Sequence, residues 1–229
     1  MAFRPYPLLT LLALPALALL IALGTWQVER MGWKRELIAG YESARADPAA
    51  DLSGALCSAE PRTGRPVAQA PDPDEEASVR LYGRDGAGRP GWRVFRPADA
   101  PLCMDADVVL IETGFEPINE GEAAAVTQWR VERPPQAGPF TPAGDPASGE
   151  FYAFDAAQIA AALGRPAAGL SRDWVLAADD GALPAHLSQT PPERHFGYAA
   201  TWFGLAIVLV AVYLAVHAAR GRLRLRGRS

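Results

Sequence analysis

Acidic residues are missing from both ends of the chain: no Asp or Glu precedes Glu29 and none follows Glu193. Cysteine is scarce, with Cys57 and Cys103 alone, and histidine is limited to His186, His195 and His217. Two cysteines 46 positions apart with no Cys or His beside them do not make a metal site. In an oxidising compartment they could pair; otherwise they read as free or structural thiols. No serine sits in a Gly-x-Ser-x-Gly turn and no cysteine has a histidine next to it, so nucleophilic catalysis has no motif to rest on. Three histidines spread over a proline-rich loop and the two ends of one apolar run cannot supply a zinc shell.

Basic residues are as unevenly placed. Arg4 stands in front of the acidic region and Arg220, Arg222, Arg224, Arg226 and Arg228 stand behind it. The middle therefore carries 26 acids against 16 bases, a net of −10 that the overall −4 conceals. Nucleic-acid binding is disfavoured, because the one Arg-rich patch directly follows an apolar span, where it reads as a membrane flank.

What the sequence does have is two long charge-free runs. Leu8 to Val28 holds no charge, and at 1.5 Å per residue it reaches roughly 30 Å, the thickness of a bilayer hydrocarbon core. Tyr198 to Ala219 is the second, with His217 near its far end. A cleavable secretory signal is the rival for the first run, helped by Ala16-Leu17-Ala18, but the apolar stretch continues past that triplet. The arginine tail places the carboxyl end on the cytoplasmic side, and two spans return the amino end there. The expected organisation is residues 1–28 as an amino-terminal segment and first span, 29–197 as an extramembrane domain, 198–219 as a second span and 220–229 as a basic cytoplasmic tail.

Between the spans, Val79 to Tyr82, Trp92 to Phe95, Val108 to Ile111, Val126 to Val131, Phe151 to Phe154 and Trp174 to Ala177 are short apolar runs bounded by Gly, Pro and Asp. They predict a β-rich, mainly antiparallel α+β domain. Gly83 to Gly88 reads as a turn rather than a phosphate loop, since Arg89-Pro90-Gly91 rules out a following helix. Asp155 can cap a helix over Ala156 to Leu163 that Gly164 ends, with Ile159 and Leu163 facing a sheet. Ala44 to Glu76 reads as loop with a short strand near Leu52 to Leu56; Asp72, Asp74, Glu75 and Glu76 read as a solvated acidic turn.

The chemistry concentrates where the spans meet this domain. In the first helix, Trp26, Arg30, Trp33 or Lys34, and Leu37 recur at three and four, stacking rings and cations on one face. In the second, His195 sits with Phe196, Tyr198, Trp202 and Phe203. A single imidazole in an aromatic, apolar setting suits axial ligation of a haem iron, with rings against the macrocycle and cations at its propionates. His195 is then the candidate ligand, Trp26, Trp33, Tyr198 and Trp202 the flanking rings, and Arg30, Lys34 or Arg194 the propionate partners. The residues alone leave a second reading open, an interfacial aromatic belt with snorkelling cations. Gly197, Ala200 and Gly204 add a small-residue face for close helix approach, to Gly24 of the first span or to another protein's helix.

Four stretches together resemble the Surfeit locus protein 1 family of cytochrome c oxidase assembly factors. They are GTWQVERMGWKRELI from Gly24, GWRVFRP from Gly91, GPFTPAGDPASGEFYAFD from Gly138, and ERHFGYAATWFGLA from Glu193. The resemblance implies a non-enzymatic assembly factor of a bacterial inner membrane, with both termini cytoplasmic and the main domain periplasmic. Its client is the oxidase catalytic subunit, and haem A synthase is a further candidate partner beside membrane lipid. It implies help with haem a delivery or stabilisation, some members binding haem a transiently, with His195 matching the family's membrane-junction histidine. Trp26, Gln27 and Arg30 match on the first helix and Tyr198 and Trp202 on the second. A cofactor-free scaffold that clamps the oxidase subunit is the alternative. This chain departs from the family at Glu112-Thr113-Gly114-Phe115, where Arg-Gly-Trp is usual and where a turn of the outer domain is expected.

Overall fold

The structure, a computed structural model, describes residues 2–57, 62–100, 107–119 and 124–224. In chain order the elements are β1 (Ala2–Phe3), α1 (Pro7–Arg45), α2 (Leu52–Leu56), β2 (Pro66–Val67), β3 (Val79–Arg84), β4 (Pro90–Asp99), β5 (Val108–Pro117) and β6 (Ala124–Ala125). After these come β7 (Trp129–Glu132), β8 (Glu150–Phe151), α3 (Ala156–Ala162), β9 (Val175–Ala178), α4 (Ala185–Ser188), α5 (Pro192–Ala219) and β10 (Leu223–Arg224). The chain divides into a helical unit, residues 1–37 with 189–229, and a sheet unit, residues 38–188.

In the helical unit, α1 and α5 are each long and apolar enough to cross a membrane. Leu8, Leu11 and Ile207 among others face outward, an arrangement that suits lipid rather than water. α1 continues past Pro15 without a break, as a helix in lipid tolerates. Thr10, Thr25 and Thr201 leave no orphan hydroxyl in the spans, since each donates to the carbonyl four residues back. The less exposed positions of α1 include Thr10, Ala13, Leu17, Leu20, Gly24, Gln27, Met31 and Lys34, spaced alternately three and four. On α5 they are His195, Ala199, Trp202, Ala206, Leu209 and Tyr213, with the same alternation. A period of 3.5 is the mark of two helices packed along a common seam.

The seam closes around His217 at the chain-terminal end. His217 is fully buried, takes the Tyr6 backbone N–H on Nε2 at 3.1 Å, and sets Nδ1 2.7 Å from the Tyr213 carbonyl. Tyr6 precedes the first helical residue, so its N–H has no intrahelical acceptor, and the imidazole supplies one. Phe3, Tyr6 and Tyr213 pack their rings on His217, and the Arg222 guanidinium lies 4.1 Å over Tyr6. α5 ends in a Schellman turn: Arg222 N–H bonds the His217 carbonyl, Gly221 N–H bonds that of Ala218, and Gly221 takes φ +66°. That reversal brings β10 antiparallel to β1.

In the sheet unit the strand order is β2-β7-β9-β5-β4-β3-β8, with β6 paired to β5. Most pairs are antiparallel, as the alternating runs predict, but β5–β9 and β3–β8 are parallel, so the sheet is mixed. β4 and β5 form the long central pair, with a bulge between Val94 and Phe95. Gly91 is required there: a Cβ on it would lie 2.5 Å from the Glu116 carbonyl oxygen and against the Phe115 ring. Each sheet face carries its own core. Phe95, Leu110, Phe151, Ile159 and Leu163 fill one beneath α3; Leu56, Val109, Ile111, Trp174 and Leu176 fill the other beside α2.

α3 forms as its local sequence dictates. The Asp155 carboxylate accepts from the Ala157 and Gln158 N–H groups at 3.0 and 3.1 Å, and Gly164 at φ +65° ends the helix. Asp155→Ala is expected to cost about 1 kcal/mol, read as a small fall in the unfolding midpoint; a loss of several kcal/mol would contradict a purely local cap. Leu52 to Leu56 is a helix rather than a strand, because Asp51 caps it through Gly54 N–H at 2.7 Å. Asp74 is not part of a merely solvated turn: it pairs with Arg165 at 3.1 Å, which also binds Asp99. Cys57 is disulfide-bonded rather than a free thiol. The sequence's other cysteine, Cys103, lies outside the described residues.

Candidate functional site

The end of the apolar run of α1 carries three kinds of position. Gln27 and Lys34, seven residues apart, lie on the buried seam stripe. Trp26 and Trp33 are about half exposed on the adjacent stripe, and between them Arg30 sets its guanidinium 3.9 Å over the Trp33 ring. That contact realises the stacked face expected from the sequence, at Arg30 and Trp33 specifically. Of the alternatives Trp33 or Lys34 for that face, the structure selects Trp33 and turns Lys34 inward.

On α5, His195 and Trp202, again seven residues apart, share the seam stripe and are half-buried; Tyr198 is exposed beside it. His195 meets Gln27 across the seam, with Nδ1 2.8 Å from Oε1. An amide oxygen can only accept, so Nδ1 carries the proton in this bond. Nε2 has no hydrogen-bond partner among the described residues. His217 differs, since both its nitrogens are engaged within the chain.

The structure thus joins Gln27 to His195 directly and stacks Arg30 on Trp33. Trp26 and Tyr198 stand exposed, while Lys34 is buried and Trp202 half-buried. Gln27 matches the family motif but does not stand among the site residues expected from the sequence. The signal for it is present there: a polar side chain in the last turn of an apolar run, on the stripe that repeats at three and four. The close approach between the spans falls elsewhere than the small-residue face suggests. A Cβ on Gly24 would clash with the Phe203 ring at 2.7 Å, whereas Cβ atoms on Gly197 and Gly204 would meet nothing within 4 Å.

The departure from the family pattern lies in the sheet unit. Glu112 occupies the interior of β5, not a turn, and is buried. Its carboxylate bonds Arg93 at 2.7 Å and the Ala178 N–H at 2.7 Å, and its carbonyl accepts from the Trp129 indole at 2.8 Å. Arg93 also reaches Glu132, which pairs with Arg130 at 3.3 Å. Burial alone would push the Glu132 carboxyl up, but Arg93 and Arg130 outweigh it and hold it below the usual glutamate value. Glu112 and Glu132 together therefore balance the buried guanidiniums of Arg93 and Arg130.

With this geometry in hand, the family comparison is decisive. The SURF1 family model matches residues 14–207, from within the first span through the core of the second. The chain belongs to the SURF1 family. That family is associated with cytochrome c oxidase assembly, and it is a family of assembly factors rather than a known class of enzymes. A comparison with curated proteins found no match. The match covers Gln27, Arg30, Trp33, Glu112, His195 and Trp202 alike. Among the described residues no group of three or more His, Cys, Asp and Glu is placed to hold a metal ion.

Proposed function

We propose that this SURF1-family chain assists cytochrome c oxidase assembly by holding haem a transiently, with His195 Nε2 as the axial ligand to its iron. The reading rests on one observation: His195 is tied through Nδ1 to Gln27, and its Nε2 has no hydrogen-bond partner among the described residues. That donor set fits haem, which brings four equatorial nitrogens and needs from the protein one imidazole, flat apolar contacts and cations. When bound, haem a would supply an iron that takes an imidazole nitrogen and two anionic propionates. The Trp26 and Tyr198 rings offer exposed contact surface, and the Arg30–Trp33 pair offers a cation for a propionate.

The proposed setting is a bacterial inner membrane, with both termini cytoplasmic and the sheet unit periplasmic. The arginine tail after α5 supports that orientation, and the disulfide at Cys57 supports an oxidising compartment for the sheet unit. The client is the oxidase catalytic subunit, with haem A synthase as the source of the group.

The test is oxidase haem a content in membranes of cells lacking this protein and supplied with wild type or His195→Ala. The variant is expected to leave haem a at the level of the unsupplied cells; restoration equal to wild type contradicts the reading. A cofactor-free clamp is the second reading, favoured by the open faces of Gly197 and Gly204. It predicts instead that Gly204→Leu abolishes co-purification with the oxidase subunit while His195→Ala changes nothing.

A further inference from the structure

We propose that Gln27 is a positioning residue for His195: it fixes the ring in the Nδ1–H tautomer and so makes Nε2 the ligating atom. The inference rests on the haem reading for its purpose, but its physical content concerns the protein alone. Gln27 is 8% exposed and lies on the seam, so its amide has little water to turn to. The side chains meet at 2.8 Å across 168 residues of sequence, which makes the bond a product of helix packing rather than of local structure. A free imidazole in water prefers its proton on Nε2, the tautomer that would leave Nδ1, hemmed in by its own backbone, as the donor atom. The Gln27 carbonyl reverses that preference.

The choice of an amide also has a consequence for release. Ligating imidazoles are commonly held by a carboxylate or a carbonyl, and a carboxylate raises the basicity of the ring toward the metal. A neutral amide fixes the tautomer with a weaker push. The ring is thereby oriented to take up an iron without being made its strongest available ligand, as a carrier that passes its cargo on requires.

The test uses full-length protein labelled with 15N-histidine and kept free of haem in detergent. The His195 ring is expected to show a protonated Nδ1 and a bare Nε2; Gln27→Leu is expected to move the proton to Nε2, and Gln27→Glu, which keeps an acceptor, to leave it on Nδ1. A wild-type ring protonated on Nε2, or an unchanged tautomer in Gln27→Leu, overturns the proposal. Haem titration of the same proteins adds the second readout. Gln27→Leu should weaken binding by roughly tenfold or more, and Gln27→Glu should bind at least as tightly as wild type; equal affinity in wild type and Gln27→Leu also overturns it. Should wild type take up no haem while the tautomers behave as expected, the haem reading fails and the positioning role of Gln27 stands.

Discussion

Glu112→Ala is expected to destabilise the sheet unit by about 3–5 kcal/mol, the usual cost of removing one partner from a buried ion pair. The Arg93 and Glu112 side chains are 14% and 5% exposed, so water cannot take over the guanidinium that is left behind. The loss extends to the Ala178 N–H on β9, which gives its hydrogen bond to the same carboxylate. Thermal unfolding of the full chain in detergent should show a fall of about 10 °C. Glu112→Arg is expected to be worse, because it sets a second guanidinium directly beside Arg93. A midpoint within a degree or two of wild type for either variant contradicts the charge balance described above.

The same network gives a pH signature. The Glu132 carboxyl titrates below its ordinary 4.5 in the folded state. Its contribution to stability is therefore complete above that pH and is lost as pH falls through 4.5 toward the folded value. Wild type and Glu132→Gln should differ most at neutral pH and converge in acid; a constant gap across that range contradicts the assignment.

Phe95→Ala is the second large effect, again about 3–5 kcal/mol, from lost burial and from the cavity left behind. Phe95 is fully buried beside the β4 bulge, with Leu81, Leu110 and Ile159 in the same core, and the Arg93 guanidinium lies 5.2 Å from its ring. Neighbours on two strands and a helix cannot collapse together into the space. Phe140 provides the contrast, since it is 96% exposed in the GPFTP turn. Phe140→Ala should stay within about 0.5 kcal/mol of wild type. Equal effects from the two would contradict the placement of the core.

Features set by local chemistry were legible in the sequence. The spans follow from the length of charge-free runs, and α3 from its aspartate cap and glycine stop, both within a dozen residues. The strands of the central pair follow from β-branched and aromatic runs. What escaped is what depends on pairing over distance. No local pattern reveals that β5 and β9 run parallel, or that a glutamate in β5 answers an arginine in β4. Leu52 to Leu56 is too short for periodicity to decide, and the cap at Asp51 settles it. The candidate site was half legible. Arg30 falls out of spacing, which left Trp33 or Lys34 open beside it, and His195 out of its rarity. Gln27 was harder, because a helix apolar on all sides offers no contrast between seam and lipid faces. Only the alternation of three and four, read together with the buried Lys34 seven residues on, singles it out.

The most direct measurement is the visible spectrum of the full-length protein purified in detergent from cells that make haem A, set beside that of His195→Ala. Wild type is expected to carry a haem a band with the signature of histidine ligation, and the variant to lose it while keeping its helix content. No band in wild type, or the same band in both, would contradict ligation by His195.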